Sequence, residues 1–307
     1  MTKLCAISVD LDEIPFYHQI HGLAAPEGPS ETAVYDIAVD RLDAFARAHE
    51  LPLTLFAIGQ DLSRAAAAEK LREMASLGHE IGNHSYGHRY DLTRLSREVM
   101  RCEVERGVEA IEEATGVKPT GFRAPGYTVS DELFGVLDEA GVAYDSSVFP
   151  CPTYWAAKAT AIGLIALRGR SSYSVIDTPK VLRAPTRPYR IGRPYWKRGR
   201  GLVELPIQVT RGGRLPFIGT SLTLAGPKGA RLLAKMCVGE PFVNLELHGI
   251  DVLDEGDGLS ALKKHQPDVR VPQARKLEAL SAAIEVFRKA GYSFVRLDEA
   301  AARLAPA

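Results

Sequence analysis

The chain has 307 residues, with 38 basic and 38 acidic side chains, so its formal net charge is zero. That balance lacks the broad basic footprint of a nucleic-acid binder, and 46% apolar with 25% charged residues is ordinary for a soluble globular enzyme. A chain of this length builds a core without a disulfide or structural metal, and its four cysteines, Cys5, Cys102, Cys151 and Cys237, form no C-x-x-C pair, which excludes a zinc knuckle or a thioredoxin-like motif.

Residues 4–10 read as a buried strand. Residues 32–50 read as a helix, with Val34, Ile37, Ala38, Leu42, Phe45 and Ala46 on one face. A strand at 53–58 follows, then a helix at 62–77 that stops at Gly78, and a short strand at 79–83. Residues 96–115 form the next predicted helix, ending before Gly116, followed by a strand at 121–123, a helix at 130–140 and a strand at 143–145. Residues 149–220 are rich in Pro, Arg and Tyr and poor in periodicity, and are expected to be a long irregular insertion within a single domain of residues 1–307. Beyond it come a strand at 242–248, a helix at 271–290, a strand at 293–297 and a closing helix at 298–304. This alternation predicts parallel βαβ units, as a barrel or a doubly wound sheet. No G-x-G-x-x-G follows the first strand, which disfavours dinucleotide binding. No apolar run reaches the roughly 18 residues of a spanning helix, and the short apolar start before Asp10 does not read as a signal peptide. The expected location is the cytoplasm, including the inner face of the membrane.

Three segments carry candidate chemistry, each at the end of a predicted strand, where a barrel keeps its active site. In Asp10-Leu11-Asp12-Glu13 the first and third residues share a strand face, so two carboxylates leave together and call for a cation nearby. Taken alone, D-x-D more often marks loop acids. In His84-Ser85-Tyr86-Gly87-His88 two imidazoles four residues apart meet on one side of a helical turn and can share a metal. His79 is expected to precede its strand and face solvent. In Leu245-Glu246-Leu247-His248-Gly249 a histidine ends a late apolar strand, and a core histidine bonded to backbone is the bland alternative. His18 and His21 fall in the loop after the first strand and are not enlisted as ligands.

With Phe122-Arg123-Ala124-Pro125-Gly126-Tyr127 and Tyr144-Asp145-Ser146-Ser147, these segments resemble in order the motifs of the NodB-homology polysaccharide deacetylases, carbohydrate esterase family four. The resemblance implies a distorted (β/α) barrel and hydrolysis of an N-acyl group, acetyl above all, from an amino sugar. It implies that Asp12, His84 and His88 hold a divalent metal, zinc by default, with cobalt, nickel, manganese and iron left open. Asp10 would be the general base, paired with Arg123, and His248 the general acid, kept protonated by Asp145. A backbone N–H after Pro125, of Gly126 or Tyr127, would stabilise the oxyanion. Three departures stand out. The family's opening more often has adjacent aspartates, so Asp10 and Asp12 could exchange roles. Gly126 intervenes between Pro125 and Tyr127. Glu246 replaces a usual leucine on the face of His248, as a partner of that histidine or a pocket wall. Competing readings are an allantoinase-like cyclic amide hydrolase, a formamido-sugar deformylase and a non-catalytic carbohydrate-binding protein.

Between 180 and 200 lie Lys180, Arg183, Arg187, Arg190, Arg193, Lys197, Arg198 and Arg200, with no acid. They form either a solvated loop or a site for a phosphate-bearing, nucleotide-linked or lipid-linked sugar, in which Arg187, Arg190 and Arg193 would take part. The apolar run 162–167, followed by Arg168 and Arg170, is compatible with peripheral contact to an anionic membrane, although such a run more often forms a core helix.

Overall fold

The computed structural model describes residues 2–304. Strand β1 (Lys3–Asp10) is followed by α1 (Ile14–Ile20), α2 (Val39–Ala48), β2 (Thr54–Ala57), α3 (Ala65–Ser76), β3 (Glu80–Asn83), α4 (Arg97–Thr115), β4 (Gly121–Phe122), α5 (Asp131–Glu139) and β5 (Tyr144–Asp145). Then come α6 (Pro152–Leu167), β6 (Tyr189–Ile191), β7 (Arg198–Glu204), α7 (Gly219–Cys237), β8 (Phe242–His248), α8 (Gln273–Lys289), β9 (Tyr292–Phe294) and α9 (Leu297–Leu304). The strands form one sheet in the order β6-β7-β5-β4-β3-β2-β1-β8, parallel except for the β6–β7 pair. β8 runs along the whole of β1, while β2 pairs with the second half of β1 and β9 with the first. This is the half-barrel form of the expected (β/α) barrel.

Alternation along β1 decides what faces where. Cys5, Ile7 and Val9 join the large apolar layer shared with the surrounding helices. Leu4 and Ala6 face the other way, into a smaller core with Phe56, Tyr144, Leu205 and Phe242. Leu297, Ala300 and Ala301 of α9 pack into that same core. Ser8 and Asp10 continue the inward row, so the interior turns from apolar to polar on the way to the C-terminal strand ends. Local signals act as expected where a side chain can cap. Ser96 and Ser130 accept from the N–H groups of Val99 and Leu133 and start α4 and α5, and Gly116 ends α4 at φ 74°.

The structure departs from the sequence-based expectations in five places, the longest being the 19-residue helix α7, where no element was expected. The loop after β1 contains α1, which buries Ile14, Tyr17 and His18. The helix expected over 32–50 opens as a π-type turn, Val34–Ala38, before α2, and the buried Glu13 carboxylate caps it by accepting from Val34 and Tyr35 N–H at 3.0 and 3.1 Å. His79 is buried rather than exposed, and its Nδ1 accepts from Leu53 N–H at 3.1 Å. The region 149–220 is not irregular throughout. It contributes α6 and two strands, and β7 extends the sheet beside β5, with Tyr144 opposite Val203 and Asp145 opposite Glu204. The exposed Arg198–Gly201 half of β7 masks the buried Leu202–Val203–Glu204 half in the sequence pattern.

After β8 the chain turns sharply at Gly249–Val252, and a buried cation holds that turn. Lys276 of α8, without exposed surface, donates to the Ile250 carbonyl at 2.9 Å and lies 3.3 Å from Asp268. Replacing Lys276 by Ala leaves Asp268 as an uncompensated buried charge. The expected cost is roughly 3–5 kcal/mol of stability, read as a lower urea midpoint. An unchanged midpoint would show that the pair does not hold the turn.

Candidate active site

The site is built from chain that has just left the C-terminal ends of β1, β3, β4 and β8. Leu11 is still paired, donating to the Phe56 carbonyl at 3.0 Å, so Asp10 and Asp12 emerge in extended conformation on one face. Asp12 points its two oxygens at two imidazoles: Oδ1 is 3.2 Å from His84 Nε2 and Oδ2 is 3.2 Å from His88 Nε2. All three residues are buried. Although burial opposes its charge, Asp12 is held well below the ordinary carboxylate range by His88 and His84.

The histidine pair is not brought together by a helical turn, as its spacing suggested. Residues 84–88 form an irregular loop in which Ser85 and His88 adopt φ of 66° and 50°. Such left-handed backbone costs a non-glycine residue on the order of 1 kcal/mol or more and persists where the surroundings impose it. Here the Ser85 carbonyl accepts from Gly59 N–H at 3.0 Å and Ser85 Oγ from His88 N–H at 3.1 Å. Nδ1 of His84 donates to the Arg123 carbonyl at 2.8 Å, which leaves the Nε2 lone pair aimed at Asp12. Asp12 Oδ1 and both ring nitrogens of His88 lack a hydrogen-bond partner. One donor atom from each of Asp12, His84 and His88 falls within 4.8 Å of the other two. Buried acceptors that converge without hydrogens between them fit a divalent cation.

Asp10 is held differently. Arg123, wholly buried, donates from one terminal nitrogen to Asp10 Oδ1 at 2.7 Å and from the other to Ser8 Oγ at 2.7 Å and Ser146 Oγ at 2.9 Å, while its Nε donates to the Ser146 carbonyl at 2.8 Å. Asp10 Oδ2 lies 3.7 Å from His84 Nε2. The neighbouring residue Asp10 thus sits at the edge of the three-donor cluster with one oxygen committed to Arg123.

His248 faces Asp10 directly in the register of β1 and β8. Its Nδ1 is 2.9 Å from Glu246 Oε1, and its Nε2 is 3.3 Å from the Tyr127 hydroxyl. Burial disfavours its charge, yet the Glu246 carboxylate, with Asp12 and Asp10, holds the imidazolium well above the ordinary histidine range. The partner of His248 is therefore Glu246, not Asp145. Asp145 accepts from the N–H and Oγ of Ser147 at 2.9 and 2.8 Å, and Ser147 Oγ in turn accepts from Ala124 N–H at 2.7 Å. It braces the turn beneath Arg123 and does not reach the histidine. Glu204 shares this buried corner, accepting from Val148 N–H at 3.0 Å, and burial beside Asp145 raises its carboxyl well above the ordinary range.

Of the two amides expected to serve as oxyanion donor, that of Tyr127 is committed, donating to the Ala124 carbonyl at 3.0 Å. Gly126, in the same turn, lines a cavity beside Asp12 and His248. Gly126 has φ 61°, and a Cβ there would stand 2.6 Å from the Tyr90 ring, so glycine is required by both backbone and space.

That cavity, of about 310 Å³, is lined further by Tyr17, Tyr90, Tyr127, Tyr154 and Lys158. Lys158 was not singled out by the sequence reading, although it is the only charged residue in α6. Its Nζ donates to the Gly126 carbonyl at 2.9 Å, and burial lowers it to about 8 against the attraction of Asp177. The expected arginines do not line this cavity. Arg187 lies at a separate groove, 2.7 Å from Glu240, Arg190 donates to the Gly201 carbonyl at 3.2 Å, and Arg193 lies against α5 at Gly135. Arg190 and Arg193 sit on or beside β6, and Arg187 reaches Glu240 just before the N-terminal end of β8, opposite the strand end that carries His248.

Residues 32–144 match the family described as polysaccharide deacetylase. The chain is 26% identical over 149 residues to the peptidoglycan deacetylase of Helicobacter pylori, which covers 47% of this chain and 49% of that protein. It is 30% identical over 129 residues to the peptidoglycan-N-acetylglucosamine deacetylase of Bacillus cereus, covering 42% and 56% respectively. The matches thus span about half the length of these curated relatives. A solved structure from Mycobacterium smegmatis, assigned to the polysaccharide deacetylases, superposes with a TM-score of 0.61 at 20% identity, over 100% of this chain and 93% of that one, which is a likeness of fold. In motif over residues 32–144, and in fold over the whole chain, the protein resembles the polysaccharide deacetylases.

Proposed function

We propose that the protein is a metal-dependent hydrolase that removes an acyl group, acetyl above all, from the nitrogen of an amino sugar. The observation that carries this reading is the convergence of Asp12, His84 and His88, with Asp12 Oδ1 and both His88 ring nitrogens lacking a hydrogen-bond partner, between a carboxylate fixed by Arg123 and a histidine beside Glu246. The names of the relatives, peptidoglycan deacetylase and peptidoglycan-N-acetylglucosamine deacetylase, support the substrate class.

Asp12, His84 and His88 would hold the cation, and zinc is the default for two imidazoles and a carboxylate. A divalent ion there supplies Lewis acidity, polarising the amide carbonyl and making water a stronger acid. The chain's own groups do the rest. Asp10, oriented by Arg123, takes a proton from the attacking water as oxygen bonds to the acyl carbon. The N–H of Gly126 donates to the developing oxyanion. His248, entering as imidazolium because Glu246 stabilises that form, gives its proton to the departing nitrogen as the C–N bond breaks. The products are a carboxylic acid and a free amine on the sugar. The tyrosine-lined cavity gives a sugar ring apolar faces to stack on and hydroxyls to bond.

His84→Ala and His88→Ala should each lose most bound metal and nearly all turnover with the far-UV spectrum kept. Elemental analysis beside acetate release checks this, and stoichiometric metal at full affinity in either variant would disprove the ligand set. Asp10→Asn should retain the metal and lose roughly 10²–10⁴-fold in kcat. Loss of metal with Asp10→Asn and retention with Asp12→Asn would exchange their roles.

Glu246 is a positioning residue, and pH separates its role from a purely structural one. A raised histidine stays protonated to higher pH, so the rate should fall only as pH climbs through that raised value. In Glu246→Gln the stabilising carboxylate is gone, and the falling limb of the kcat profile should move to lower pH. Glu246→Asp should recover part of the shift. A Gln variant with an unmoved alkaline limb would remove Glu246 from the mechanism.

A further inference from the structure

Helix α6 breaks the rule that governs the others. Its sixteen residues, PTYWAAKATAIGLIAL, hold a single charge, and 159–167 hold none, yet every one of them keeps some exposed surface. Leu164 is 47% exposed and Leu167 85%. A helix that is apolar all round is ordinarily covered on every side, so the sequence-based expectation of a core helix does not hold. Its N-terminal half leans on the body: Trp155 Nε1 donates to the Asp177 carbonyl at 2.9 Å, and Tyr154 packs on Phe149 and Tyr127. The C-terminal half projects. Among the described residues no helix is long and apolar enough to cross a membrane, and at 1.5 Å per residue α6 itself reaches only about 24 Å.

The charge around this half has one sign. From 152 to 176 the chain has Lys158, Arg168 and Arg170 and no acid. Arg168 and Arg170 follow the helix directly, and Arg170 packs beside Gly22, where a Cβ would stand 3.3 Å from the Arg170 Cβ. The segment after α6 is tied back to α1, with Ser172 Oγ donating to the Ile20 carbonyl at 2.8 Å. Ile20 and Ala161 both line the cavity that holds Asp12 and His248. An exposed apolar rod, a cationic collar and the mouth of the candidate active site are therefore contiguous.

We propose that α6 docks the protein on an anionic lipid bilayer, with Leu164 and Leu167 among the acyl chains, Arg168 and Arg170 among the headgroups, and the cavity turned toward an acylated sugar carried by a lipid in that bilayer. The substrate half of this statement rests on the deacylase reading; the docking half does not. A second copy is the weaker occupant, because a two-fold contact sets this acid-free segment, with Arg168 and Arg170, against its own duplicate, whereas an anionic headgroup layer supplies the countercharge.

The test is sedimentation of the metal-loaded protein with vesicles of phosphatidylcholine alone or with added phosphatidylglycerol. Wild type should bind the anionic vesicles and be released by salt. Leu164→Glu with Leu167→Glu should weaken binding on the order of 100-fold, and Arg168→Gln and Arg170→Gln about five-fold each. Acetate release from a water-soluble acetylated amino-sugar oligomer should be unchanged in all of these, since none of the four lines the cavity. Failure of wild type to bind, equal binding to neutral vesicles, or leucine variants that bind as wild type would overturn the docking proposal, as would a wild-type dimer that the leucine variants dissociate. Binding by wild type without any deacylation, on soluble or vesicle-borne acylated sugar, would overturn the substrate half and leave docking standing.

Discussion

A guanidinium without exposed surface sits in the middle of this half-barrel, and much of the site follows from keeping it charged and paired. A buried charge costs several kcal/mol unless its hydrogens all find partners. Arg123 commits four of its five N–H donors, to Asp10 from β1, Ser8 one step deeper on the same strand, and Ser146 from the turn after β5. The Phe56 ring closes one face, 4.3 Å from the guanidinium carbon. Ser146 is itself held by Asn244 of β8, and Asn244 by Ser8. Four strands are thus tied by one polar layer between the apolar interior and the strand ends. The layer orients Asp10, and through its own carbonyl Arg123 also orients His84.

The site divides its histidines by what each Nδ1 meets. His84 places Nδ1 against a carbonyl, so Nε2 is left as an acceptor suited to a cation. His248 places Nδ1 against a carboxylate, so the charged ring is favoured and Nε2 can donate. The oxygen that Nδ1 meets, a neutral carbonyl in one case and a carboxylate in the other, fixes which way each ring is turned. Glu246 reaches that position because two residues apart on a strand means one face, whereas Asp145, on β5, lies behind Arg123.

The part of the chain between β5 and β7 joins two roles. Its start, α6, walls the cavity with Tyr154 and Lys158 and carries a bare apolar end beyond it. Its end returns to the sheet as β6 and β7, and the arginines there meet local partners, Glu240 for Arg187 and the Gly201 carbonyl for Arg190. Basic residues concentrated in sequence are thereby distributed between the β6 edge and the N-terminal end of β8, away from Asp12 and His248.

Much of this was legible in the residues alone. Because each element buries one face, period-two and period-3.6 patterns located the strands and most of the helices outside 149–220, though not α1 or α7, and Ser96, Ser130 and Gly116 marked ends by their own chemistry. The placement of Asp10, Asp12, His84, His88, Arg123 and His248 near one another was legible too, since each follows a strand whose C-terminal end a parallel sheet brings to one side. The pairings were not. Which carboxylate serves His248, how His84 and His88 converge through left-handed backbone, and whether α6 is covered all depend on contacts between residues distant in sequence. Hydrophobic periodicity reports whether a residue is buried, whereas the partner of a charge is chosen by three-dimensional packing, and that choice decided the chemistry here.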